Sequence, residues 1–333
     1  MNQPELFTAL GPLAELYADV DVLEIMVDAP DKVYVERQGV LLDTAVTFPS
    51  TIALQNSIHN LLALGHQSLS PERTTAETRL PDGSRIVVVL PPTAVAGPHL
   101  VIRKFPGLGI TWEKLLAWQS ITPDALNLLQ AAIRARQTLL IAGGTAAGKT
   151  TVANLLAGSI PADQRVILVE ATYEMRVHHP RCLALEAGGP ANIRIPDLLD
   201  TAARMRPDWL IIGELLGGEA LHALEILGRG HSGMMTLHAD SAENALTRLE
   251  NMCLMANLGL GLGQIRQIIA AAVRLITYQE LMVGNGRKRR LISQIVELVG
   301  VEHDRYLLQP LFRYNPDTDT LEATGHQPRL VQP

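Results

Sequence analysis

Thr138-Leu139-Leu140-Ile141-Ala142, followed at once by Gly143-Gly144-Thr145-Ala146-Ala147-Gly148-Lys149-Thr150, decides the fold of this chain. The first five residues are an apolar run of strand length, and the next eight fit the pattern G-x-x-x-x-G-K-[ST] of a phosphate-binding loop. Small residues in such a loop let successive backbone N–H groups turn inward around phosphate oxygens, and the helix behind it offers a positive N-terminus. Lys149 is placed to reach the outer phosphates, and Thr150 to hold Mg²⁺. Thr151 to Ala157 reads as that helix, broken by Gly158 and Pro161. The nine residues from Gly143 to Thr151 are thus the candidate nucleotide-binding set, with a nucleoside triphosphate as the ligand and Mg²⁺ as the cofactor.

Working outward, a helix begins at Thr122-Pro123-Asp124, with threonine as N-cap and proline at the first helical position, and ends before Gln137. Two more apolar runs, Val166 to Val169 and Trp209 to Ile212, alternate with helical or looped segments. That alternation predicts a mostly parallel sheet covered by helices, with its ligand beyond the carboxyl ends of the strands. Glu170 and Glu214 follow those two runs, so both carboxylates are expected at the edge that carries Lys149 and Thr150. Glu170 is a candidate to polarise the attacking water, and Glu214 to hold Mg²⁺ through its water shell. Glu174 and Glu219 lie in the loops beyond and read as solvated. His231 and His238 flank Ser232 to Leu237, and an imidazole at either position offers a hydrogen-bond partner for a phosphate.

The first hundred residues read as a separate small α+β domain. Short apolar runs occur at Val22 to Val27, Val33 to Val35, Val40 to Leu42 and Ile86 to Leu90, with a Gln38-Gly39 turn between the second and third. Thr51 to Leu64 has helical spacing of Ile52, Leu54, Ile58, Leu61 and Leu62. Pro81-Asp82-Gly83-Ser84 marks a hairpin turn. The punctuated stretch Pro106-Gly107-Leu108-Gly109 resembles a hinge, which divides the chain into residues 1–105, a linker at 106–120, a phosphate-loop domain at 121–312 and a loosely held polar tail at 313–333.

At 333 residues the chain is long enough for two domains. Its 28 Lys and Arg against 34 Asp and Glu argue against a surface built to hold nucleic acid. Cys182 and Cys253 are too few for a disulfide scaffold or a four-cysteine zinc site, which points to a reducing compartment. With neither a secretion signal nor a long apolar span, the expected location is cytoplasmic, peripheral to a membrane at most. Arg287-Lys288-Arg289-Arg290 is read chiefly as the solvated arm of a hairpin, with contact to acidic lipid as the alternative.

Four blocks together resemble the traffic ATPases of type II and type IV secretion. They are the phosphate loop through Thr151; Val169-Glu170-x-Thr172-x-Glu174; Arg204-x-Arg206-Pro207-Asp208 with Ile212-Gly213-Glu214; and Gly230-His231 with Thr236-Leu237-His238. Leu80 to Arg85, Pro91-Pro92, Gly97-Pro98 and Ile102-Arg103-Lys104-Phe105 resemble the family's N-terminal domain, so the likeness runs from about Leu13 to Val299. Among its branches the chain looks most like the CpaF-type ATPases of tight-adherence pili and the conjugation ATPases. The resemblance implies a RecA-like ATPase domain and a hexameric homo-oligomer. It also implies an inner-membrane platform protein as partner, at the cytoplasmic face of the membrane. On the same ground Lys149, Glu170, Glu214 and His238 are catalytic, with Arg85 and Arg103 closing on the nucleotide from the first domain. Ala171 stands where the family usually has Asp, Leu216 where it usually has Arg, and Ala146-Ala147 where Gly-Ser is common. A slow or assembly-dependent ATPase is therefore expected, with a nucleotide-binding regulator or a RecA-like nucleic-acid motor as alternatives.

Overall fold

The computed structural model describes residues 3–37, 40–104, 110–188, 192–284 and 287–329. The chain divides into two compact units, Met1–Ile110 and Thr111–Pro333. Gln38-Gly39 and residues 105–109, the expected turn and hinge, fall outside the described residues.

The first unit contains α1 (Gln3–Leu10), α2 (Ala14–Ala18), β1 (Val22–Ala29), β2 (Lys32–Arg37) and β3 (Val40–Asp43). It continues with α3 (Thr51–Leu64), β4 (Thr75–Arg79), β5 (Arg85–Val89) and β6 (His99–Arg103). The strands form an antiparallel sheet of order β3-β2-β1-β6-β5-β4. Strand alternation puts Ile25, Ile86 and Ile102 on one face, where they pack with Leu54, Ile58, Leu61 and Leu62 of α3. Ser50 caps α3 by accepting from the Ala53 N–H at 3.1 Å.

The second unit starts with α4 (Trp112–Ala117), α5 (Pro123–Arg134), β7 (Leu139–Gly143), α6 (Lys149–Ala157), β8 (Val166–Glu170) and β9 (Cys182–Glu186). Next come α7 (Ile195–Arg204), β10 (Trp209–Ile212), α8 (Glu219–Gly228), β11 (Ser232–His238), α9 (Ala242–Met255) and α10 (Leu262–Ala272). It ends with β12 (Leu275–Gly284), β13 (Arg287–Glu302), β14 (Arg305–Asn315) and β15 (Thr320–Ala323). The sheet order is β15-β14-β13-β12-β7-β11-β10-β8-β9, with β12 to β9 mutually parallel and β13 to β15 added antiparallel. β7, β8 and β10 are buried at every position, as their continuous apolar sequences require of strands covered on both faces.

Several expectations need correction. Residues 313–333 are not a loose tail as far as they are described, because Phe312, Arg313, Tyr314 and Asn315 of β14 pair with β15. One apolar side chain in that polar stretch, Leu321, is buried, and its carbonyl accepts from the Thr122 hydroxyl at 3.3 Å. Thr122 holds the N-cap position of α5, but its hydroxyl is committed to Leu321 and caps nothing. The basic run is not a solvated arm at its described side chains. Arg289 bonds to Asp319 and lies over the Tyr314 ring, and Arg290 donates to the carbonyl of Ala146.

Candidate functional site

Parallel pairing aligns the carboxyl ends of the strands. His238 of β11 is opposite Gly143 of β7, and Ile212 of β10 lies between Val169 of β8 and Met235 of β11. The residues just past these positions therefore emerge at one sheet edge. Gly143 has to be glycine, since a Cβ there would sit 2.5 Å from the carbonyl oxygen of Gln279 on β12. Gly148 closes the loop with φ +96°, a left-handed conformation that glycine adopts without penalty. α6 starts there, two residues earlier than the sequence reading had it, so Lys149, Thr150 and Thr151 form its first turn.

Lys149 is only 7% exposed. Its ammonium donates to the carbonyls of Gly143 at 3.1 Å and Gly144 at 3.0 Å, and to Nδ1 of His238 at 3.1 Å. Burial pushes the Lys149 pKa down, and the charge of Glu214 opposes that shift. An ammonium has no lone pair to offer, so Nδ1 is the acceptor and the neutral ring carries its proton on Nε2. That nitrogen lies 2.9 Å from Oε1 of Glu214. The approach is within ion-pair distance yet off the line of a hydrogen bond, which leaves the buried Oε1 with acceptor capacity.

Glu170 is 4% exposed and accepts from the backbone N–H groups of Glu174 and Met175, each at 3.2 Å. Its carboxyl is pressed against Gly213, where a Cβ would meet Cγ at 2.5 Å and Oε1 at 2.6 Å. Thr236 supports the same turn by donating its hydroxyl to the Gly213 carbonyl, while its own carbonyl accepts from Leu215 N–H at 2.8 Å. Contacts therefore run from Glu170 through Gly213 to Glu214, then to His238 and Lys149. Glu174 is exposed, as expected, and supports Glu170 through its backbone N–H, whereas the Glu219 carboxylate accepts from Leu216 and Gly217 N–H at 2.7 and 2.8 Å.

Not every candidate belongs to this edge. His231 precedes β11 while His238 ends it, so about 20 Å of strand separates them, and Nδ1 of His231 faces the Pro207 carbonyl at 3.4 Å. Thr145 and Ala146 are exposed at the loop's tip, Ala147 is buried, and Gly144, Thr150 and Thr151 are half-buried. Leu216 is 62% exposed beside this turn, with Ala171 also exposed. Arg85 and Arg103 lie in the first unit, directly opposite each other on β5 and β6. The register adds Arg79, opposite Arg85 on β4. Like charges facing one another across a sheet are unfavourable, and Glu77, 3.8 Å from Arg85, and Glu24, opposite Arg103, offset this.

Sequence reasoning gave Gln279 no notice, and gave Thr236 and Arg290 no role at this site. A basic tetrapeptide on a hairpin gives no hint that one of its arginines folds back onto a loop 144 residues earlier.

The sequence model of the family described as "Type II/IV secretion system protein" matches residues 8–302. The type IV secretion system protein PtlH of Bordetella pertussis is 30% identical over 308 residues, 82% of this chain and 89% of that protein. The uncharacterized protein MJ0900 of Methanocaldococcus jannaschii is 28% identical over 336 residues, 97% of this chain but 58% of that longer protein. Among solved structures, the ATPase DotB of Legionella pneumophila is similar in fold, with a TM-score of 0.64 at 19% identity over 88% of this chain and 80% of that one.

Proposed function

The chain belongs to the type II/IV secretion system protein family, and from that premise we propose that it is an ATP-hydrolysing motor subunit. It works as a hexameric homo-oligomer that powers pilus assembly or type II/IV secretion against an inner-membrane platform protein. The observation that carries this reading is the contact chain Lys149–His238–Glu214, which joins the phosphate loop after β7, across β11, to a carboxylate beyond the end of β10. No helix among the described residues is long and apolar enough to cross a membrane.

The residues divide the work by their geometry. To bind the outer phosphates, Lys149 exchanges the Gly143 and Gly144 carbonyls for phosphate oxygens. The N-terminus of α6 and the loop N–H groups hold the remaining phosphate charge. Thr150 and Glu214 offer hard oxygen donors, and the unfilled acceptor capacity of Glu214 Oε1 fits a site for Mg²⁺ or its water shell. A divalent ion held by these two residues would supply charge neutralisation for the phosphates. Glu170, fixed by two backbone N–H groups and by Gly213, orients the attacking water and takes up its proton. His238 releases Lys149 as phosphate arrives and stays close to Glu214. Arg85 and Arg103, both of the first unit, complete the set of proposed catalytic residues.

Phosphate release from ATP by the wild type, compared with Glu170→Gln, tests this assignment. Turnover at least about 100-fold above the variant is expected of a motor. Equal rates at normal ATP affinity would instead mark a nucleotide-binding regulator, the outcome to which Ala171 and the exposed Leu216 point.

A further inference from the structure

Two residues that the mechanism above does not use meet the phosphate loop from its other side. β7 lies between β11, which brings His238, and β12, which brings Gln279. Gln279 is paired with Gly143 and is 1% exposed. Its main-chain carbonyl crowds Gly143, and its side-chain Oε1 lies 3.7 Å from where a Cβ on Gly148 would be, so it touches both glycines that frame the loop. Its amide nitrogen has no hydrogen-bond partner among the described residues. From the next strand, β13, Arg290 donates Nε–H to the Ala146 carbonyl at 2.7 Å and lays Cδ 3.8 Å from the same Gly148 position. Ala146 has φ +58°, a left-handed backbone that a residue with a Cβ adopts only when its surroundings hold it there.

These observations do not fit a purely structural role. A buried amide donor without a partner costs stability, and an apolar side chain of the same shape would pack there more favourably. A charged hydrogen bond to the carbonyl of a strained residue fixes one peptide plane in the middle of the loop, and with it the direction of the N–H groups that follow. We propose that Gln279 and Arg290 are positioning residues for the bound nucleoside di- or triphosphate. Arg290 pins the Ala146 carbonyl so that the loop is set before the phosphates arrive. Gln279 donates its amide to the loop backbone once phosphate has drawn the loop into its bound form. The proposal rests on the reading of residues 143–151 as a nucleotide site.

The test is calorimetric titration of the full-length protein with ADP in magnesium buffer, beside melting curves taken without nucleotide. Arg290→Ala is expected to raise the ADP Kd about tenfold, whereas Arg290→Lys, which still donates to a carbonyl, stays within about threefold of wild type. Gln279→Leu is expected to raise Kd about fivefold, although its melting temperature without nucleotide equals or exceeds that of wild type. In turnover assays the loss of Arg290 appears in KM rather than kcat. Wild-type ADP affinity in both Arg290→Ala and Gln279→Leu overturns the proposal. So does a fall in nucleotide-free melting temperature that accompanies the weaker binding in both. Absence of ADP binding by the wild type itself refutes the nucleotide site on which the proposal rests.

Discussion

Gly213→Ala adds one methyl group at the most crowded point of the proposed site. The new Cβ would lie 2.5 Å from Cγ, 2.6 Å from Oε1 and 2.9 Å from the carboxyl carbon of Glu170, distances that real structures do not tolerate. Glu170 cannot yield easily, because it is buried and held by the N–H groups of Glu174 and Met175. Overpacking a tight site costs about 1–3 kcal/mol, and losing a hydrogen bond to a charged group about 1.5–3 kcal/mol, which gives a combined loss of about 2.5–6 kcal/mol. For a unit of this size that corresponds to a melting temperature lower by roughly 10 °C. Turnover should fall at least about 30-fold because the carboxylate leaves its position, while ADP affinity, which depends on the loop, changes less than about threefold. Gly228→Ala is the control, since nothing among the described residues lies within 4 Å of its Cβ position at the end of α8. Differential scanning fluorimetry, phosphate release and ADP titration read the three quantities. A Gly213→Ala protein that melts and turns over like wild type would refute the account of Glu170.

Three further outcomes follow from the same geometry. Thr236→Val keeps the shape but removes the donor to the buried Gly213 carbonyl, so stability falls by about 1–3 kcal/mol and turnover falls with it, as denaturant midpoints and phosphate release will register. His238→Ala breaks the link between Lys149 and Glu214, so turnover should drop about 10- to 100-fold while ADP affinity holds within about threefold. Burial holds the Lys149 pKa below its usual 10.5, so between the lowered value and 10.5 the unfolded chain binds more protons than the folded one and stability rises with pH. Melting temperatures of wild type and Lys149→Met, followed from pH 7 to pH 10, should converge or cross in favour of wild type as pH rises; parallel curves contradict the burial of a charged lysine.

The parts legible in the sequence were those in which local pattern and tertiary position agree. The runs ending at Gly143, Glu170 and Ile212 are continuous apolar stretches, and a strand buried on both faces has no other composition open to it. Their carboxyl ends carry Lys149, Glu170 and Glu214, so fold and site emerged from one observation. The hairpin arm at Arg287 to Arg290 was legible, but its length and the strands β14 and β15 escaped, β14 because it contains Pro310, a feature that locally resembles a loop. Their order comes from pairing onto β7 and onward, a long-range cause that no window of sequence contains. Thr122 shows the opposite failure, since an ideal capping residue was diverted by a carbonyl 199 residues away. The roles of Arg290 and Gln279 were invisible for the same reason. A side chain's partner is fixed by sheet order, and sheet order was only half read.

The central claim is that the strand ends of β7, β8, β10 and β11 form one hydrolytic centre around Lys149. Phosphate release from ATP by the purified full-length protein, measured beside Lys149→Ala under identical conditions, tests it most directly. Loss of at least about 100-fold in the variant is the expected result. Undiminished phosphate release from Lys149→Ala would contradict the account.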